Sequence, residues 1–75
     1  MGLLPALNAR NVVRALHKAG FFIDRQKGIH CVMIHPITHA RVVIPVHSGT
    51  TIKKPLLHSI IKNAQLSTEE FIQLL

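Results

Sequence analysis

The residues best suited to chemistry lie together at Arg25-Gln26-Lys27-Gly28-Ile29-His30, where two cations precede a glycine and an imidazole follows it. Imidazole, with an unperturbed pKa near ~6.5, can take up or release a proton close to neutral pH. Arginine and lysine hold phosphate oxygens and offset the negative charge that grows on them in a transition state. Cleavage of a ribose phosphodiester by its own 2′-hydroxyl needs those parts: a base for the hydroxyl proton, an acid for the leaving oxygen and positive charge for the phosphorane. Arg41 is a further candidate for the phosphate, and Lys53 and Lys54 are candidates for tracking a polyanion backbone. His47 is the best remaining candidate for a second proton-transfer group. The bland alternative is an ordinary hairpin whose histidine is structural, the commoner role for a lone histidine beside an apolar strand.

Other reactive residue types offer no competing chemistry. Cys31, the only cysteine, sits in the run Cys31-Val32-Met33-Ile34, whose apolar neighbours raise rather than lower a thiol pKa. Unable to form an internal disulfide, it points to a reducing cytoplasm. Six histidines invite a metal reading, and His35 and His39 have ligand-like spacing. Pro36 and the turn expected around it deny them a common helix face, and no carboxylates are paired, so neither a metal nor a small-molecule cofactor is expected. His35 and His39 read as exposed turn residues, His17 and His58 as helix-surface ones.

Nine lysines and arginines against Asp24, Glu69 and Glu70 leave a formal charge of +6, which favours polyanionic partners. Seventy-five residues make one small domain, 1–75, of the size that buries only about 60% of its unfolded surface. Met1 to Leu7 is too short for a signal peptide and no apolar run reaches membrane-spanning length, so a cytoplasmic protein with no membrane partner is expected.

These residues need a scaffold, and the patterning supplies one. Val12, Val13, Leu16 and Ala19 recur at helical spacing after Asn8, a good N-cap, while Arg10, Arg14 and Lys18 fall four apart on the other face. Gly20 reads as the residue that ends this helix. From Phe21 the period changes to extended runs: Phe21 to Lys27, turned by Gly28 into Ile29 to Ile34, then a turn at Pro36 and Thr38 into Arg41 to Val46, closed by Pro45. Parity puts His30 on one face with Val32 and Ile34, so either that strand end rises out of the core or His30 is partly covered. His47 to Thr51 reads as a loop. Pro55 then suits the first turn of a helix carrying Leu56, Leu57, Ile60, Ile61 and Ala64, and Ser67 with Glu70 is a capping-box pattern opening a last short helix. The fold expected is α+β, in the α-β-β-β-α order of double-stranded-RNA-binding domains, with a three-stranded antiparallel sheet, helices on one face and a short C-terminal helix.

Within that order the chain carries Leu16-x-x-Ala19-Gly20-Phe21, Arg25-Gln26-Lys27-Gly28-x-His30, His35-Pro36, Ile44-Pro45-Val46-His47, Leu57-x-Ser59-Ile60-Ile61-Lys62 and Leu66-Ser67-x-Glu69-Glu70-Phe71. Together, from about Val12 to Leu75, these resemble the HicA (YcfA-like) family of toxins. The resemblance implies an endoribonuclease, an mRNA interferase that inhibits translation and is neutralised by a HicB antitoxin. It places the family's glycine-serine-histidine motif on Gly28-Ile29-His30, making His30 the catalytic histidine. The charge of +6 and the expected fold, rather than the resemblance, give Arg25, Lys27, Gly28, Arg41, His47, Lys53 and Lys54 as the RNA-binding set. Ile29 stands where the family usually has serine, so that hydroxyl is missing here. Two function classes follow: a metal-independent ribonuclease toxin whose partners are mRNA and a HicB-like antitoxin, or a non-catalytic RNA-binding or antitoxin-binding module in which His30 is structural.

Overall fold

The computed structural model describes residues 4, 6–46 and 51–75. In chain order the elements are β1 (Leu7–Asn8), α1 (Ala9–Lys18), β2 (Phe22–Lys27), β3 (His30–Ile34), β4 (Arg41–Pro45), β5 (Thr51–Ile52), α2 (Lys54–Asn63) and α3 (Thr68–Gln73).

Each helix is bounded by chemistry that satisfies its end groups. Asn8 caps α1, its Oδ1 accepting from the Asn11 N–H at 2.8 Å. At the other end Gly20 N–H donates to the His17 carbonyl and Phe21 N–H to the Leu16 carbonyl, both at 3.0 Å. This paired closure requires a left-handed residue, and Gly20 supplies it at φ 103°. The same closure ends α2 through Gln65, a non-glycine at φ 63°. Pro55 lies in the first turn of α2, where a missing N–H costs nothing. Ser67 and Glu70 form the expected reciprocal capping box on α3, with bonds of 3.0 and 2.8 Å.

Strands β2, β3 and β4 form the antiparallel meander, in that order. Gly28, at φ 59°, with Ile29 makes a two-residue connection between β2 and β3, the pattern of a turn with glycine at its first central position. The core lies on one side of the sheet. Cys31, Met33, Val42 and Ile44 pack with Val12, Ala15 and Leu16 of α1, Leu57, Ile60 and Ile61 of α2, and Phe71 of α3. Both long helices touch β4, while β2 is an exposed edge strand whose six residues all stay accessible.

Two features depart from the sequence reading. The segment expected as a loop from His47 to Thr51 ends in β5, which pairs antiparallel with β1 through Leu7 opposite Ile52 and Asn8 opposite Thr51. That pairing ties the entry of α1 to the entry of α2. Two-residue ladders are too short to carry an alternating pattern, which is why neither strand was expected. The second departure is a β-bulge: Ile23 pairs with Met33 and Arg25 with Val32, leaving Asp24 extra.

Candidate active site

The ladder registers arrange the open face of the sheet as three rows, because residues directly opposite in an antiparallel pair point to the same side. Lys27, His30 and Pro45 form the first row, Arg25, Val32 and Val43 the second, and Phe22, Ile34 and Arg41 the third. The bulge at Asp24 sets this composition. Strict alternation would have put Ile23 beside Arg25 and Lys27; the extra residue moves Phe22 there instead. His30 shares its face with Val32 and Ile34, as strand parity required, and the helices cover the opposite face. Of the two alternatives, the strand end lies outside the core and His30 is uncovered, although Val32 on the same face is buried. The core face is that of Cys31 and Met33, and His30 is exposed on the other.

His30 and Lys27 are direct cross-strand partners, with Cβ atoms about 5 Å apart. Arg25 stands one row, roughly 7 Å, along the same face. Its Nε lies 3.4 Å from Asp24 Oδ2, an exposed pair worth at most about 1 kcal/mol and readily exchanged for another anion. Ile29 accepts from the Val46 N–H through its carbonyl, which anchors the turn to the chain leaving β4. Among the described residues a Cβ built on Gly28 would meet no atom within 4 Å, so this glycine serves its backbone angle. The Ile29 side chain is itself half exposed beside His30.

Other expected site residues are dispersed. Arg41 shares the open face with His30 but stands two rows away, about 13 Å along the sheet, too far to hold the same phosphate. Lys53 and Lys54 are exposed at the start of α2, within the helix layer, and that first turn contains no acidic residue. His47 lies outside the described residues. Arg10, Arg14 and Lys18 stay exposed along α1.

His35 was expected as an exposed turn residue, and here the structure corrects the reading. It is half-buried, its Nε2 lies 3.2 Å from the Ala19 carbonyl, and its Nδ1 accepts from the Ile37 and Thr38 N–H groups at 3.1 and 3.2 Å. That set pairs Nε2 as donor with the Ala19 carbonyl and Nδ1 as acceptor with the two turn amides. Its ring also meets Phe21 edge-to-face at 5.2 Å. His39 is exposed, at φ 63°. Burial pushes the Cys31 thiol pKa up, in keeping with an inert side chain. Among the described residues no three His, Cys, Asp or Glu side chains converge, and no helix is long and apolar enough to cross a membrane.

The fold is an α+β domain of α-β-β-β-α order with an exposed histidine set among cations on its open sheet face. More particularly, residues 9–66 match the family model of the HicA toxin of bacterial toxin-antitoxin systems, and the chain belongs to that family. It is accordingly a toxin of a toxin-antitoxin system, a role that implies an antitoxin partner. No curated protein matches the sequence.

Proposed function

We propose that this toxin is a metal-independent endoribonuclease that cleaves mRNA by histidine acid–base chemistry and so inhibits translation. The observation that carries this reading is the first row of the open face, where an exposed His30 stands directly opposite Lys27 with Arg25 one row on. A phosphodiester laid across this row would meet imidazole and ammonium together. His30 removes the 2′-hydroxyl proton, the ribose oxygen attacks phosphorus, and Lys27 and Arg25 bind the equatorial oxygens as charge accumulates on them. His30, now protonated, or His47 supplies the proton to the departing 5′-oxygen. The Gly28 backbone admits the strand closely over the turn, and Lys53, Lys54 and Arg41 meet phosphates farther along the RNA. An antitoxin of the HicB type neutralises this site most directly by covering His30 and offering carboxylates to Arg25 and Lys27.

His30→Ala tests the reading. RNA cleavage is expected to be lost with RNA affinity and melting temperature retained, while cleavage by the unaltered chain persists in excess chelator. Full activity of His30→Ala, or loss in chelator that divalent metal restores, would overturn the metal-independent histidine mechanism, and absence of cleavage by the unaltered chain would return it to the non-catalytic alternative.

A further inference from the structure

The third row of the open face differs chemically from the first. Phe22 is 44% exposed and faces half-buried Ile34 across the ladder. Ile37, 81% exposed, sits on the turn that leaves this row, and Val43 adds an apolar surface one row in. Arg41 is the sole cation of the row. A water-exposed phenylalanine and isoleucine, joined by a second isoleucine, are costly to leave uncovered and mark an interaction surface.

Three occupants compete for such a patch. RNA gains from cations and aromatic stacking, but aliphatic Ile34 and Ile37 offer no stacking plane, and one arginine is sparse for a polyanion. A second copy would bring together two chains of formal charge +6, with Arg41 close to its own counterpart in a two-fold arrangement. A protein that lays apolar side chains on Phe22 and Ile37 and sets a carboxylate on Arg41 satisfies every group of the row. We propose that this end of the sheet anchors the antitoxin partner through apolar side chains and a carboxylate on Arg41, and that the partner extends from there along the same face to the His30 row. Toxicity and neutralisation then centre on different ends of one surface and meet at Arg41: the His30 row acts on RNA, the Phe22–Ile37 end holds the inhibitor, and Arg41 takes an RNA phosphate in the free toxin and a partner carboxylate in the complex. The covering of His30 rests on the ribonuclease reading, whereas the anchor does not.

The experiment uses the full chain and the protein encoded by the reading frame adjacent to its gene, purified after co-expression. Phe22→Ser and Ile37→Asp change exposed side chains, and their melting temperatures are checked first. Each variant is expected to weaken the complex by roughly 10- to 100-fold, the loss typical of an interface anchor. Growth arrest should escape co-expressed partner, while RNA cleavage by the variant alone stays unchanged. Unaltered affinity in both variants, or no complex with the unaltered chain, would overturn the proposal. Loss of RNA binding with retained partner affinity would reassign the patch to RNA, and a dimer of this chain dissolved by either variant would reassign it to self-association. Because partner affinity is read by itself, an unaltered chain that fails to cleave RNA would sink the ribonuclease reading and leave this result standing.

Discussion

Strand β3 carries a histidine at its start and another just past its end, and the two are opposites. His35 has both ring nitrogens engaged, with the Ala19 carbonyl on one side and two turn amides on the other, and it packs on Phe21. His30 lies exposed between Lys27 and Pro45, and among the described residues its ring has no hydrogen-bond partner. An imidazole whose valences are all used holds the fold together and has no lone pair for a substrate. One that the fold leaves unused is available for proton transfer. The same residue type thus separates into a fully engaged ring and an open one by the number of partners that the described residues supply at each end of the strand.

The sharpest way to break this contrast is to remove each histidine in turn. His30→Ala should cost about 10²- to 10⁴-fold in cleavage, the usual worth of a general acid–base group, with stability unchanged within about 0.5 kcal/mol because the side chain is exposed. Single-turnover cleavage and thermal melting measure the two quantities. A melting temperature that collapsed on His30→Ala would make it the structural histidine after all.

His35→Ala should show the reverse pattern. Loss of its hydrogen bonds and its edge-to-face contact is expected to destabilise the fold by about 1–3 kcal/mol. In a domain of this size that lowers the melting temperature by roughly 4–8 °C per kcal/mol. Cleavage per folded molecule should be retained. Gly20→Ala probes the same junction from the other side, since a Cβ there would sit 2.8 Å from His35 Nε2 on a residue at φ 103°. It should cost about 1–3 kcal/mol, and His35→Ala should relieve the steric part in the double variant. Strict additivity of the two would show that the clash does not matter.

The contrast also explains what could be read before folding. Asn8, Gly20, Pro55 and the Ser67/Glu70 pair announced the helix ends because capping is local: donor and acceptor lie within five residues. The three strands were legible from β-branched runs and glycine or proline turns. The role of His35 was not, since its partner Ala19 lies sixteen residues away across the fold. The adjacent His35-Pro36 pair signalled only a turn. Likewise the bulge at Asp24 decides that Phe22, not Ile23, joins the cationic face, and no residue type there marks it. Arg41 was grouped with Arg25 and Lys27 by charge, yet the register sets it two rows from His30. Sequence gave the chemistry of these side chains, while their distances came from pairing.

A smaller effect sharpens the reactive end. Lys27→Ala removes the ammonium opposite His30 and should reduce the slope of log affinity against log salt by roughly one counterion's worth, weakening RNA binding across sequences. Titrations at several salt concentrations measure it. A slope unchanged from that of the unaltered chain would place Lys27 outside the RNA footprint and leave Arg25 as the nearer cation.

The smallest expected effect comes from Ile29→Ser, which restores the hydroxyl the family usually carries beside its histidine. Ile29 is half exposed, so the exchange removes little packing and should alter stability by less than about 0.5 kcal/mol. A serine at this turn position would add a donor and acceptor within reach of a phosphate or of the His30 ring. One added hydrogen bond to a bound strand is worth about 0.5–1.5 kcal/mol, a gain of roughly 2- to 12-fold in affinity or cleavage. If the gain appears in cleavage with affinity unchanged, the hydroxyl acts on the transition state or orients His30; if in affinity alone, it contacts ground-state RNA. No gain in either would mean that Lys27 and His30 already define this end of the sheet and that the exposed isoleucine costs the site nothing.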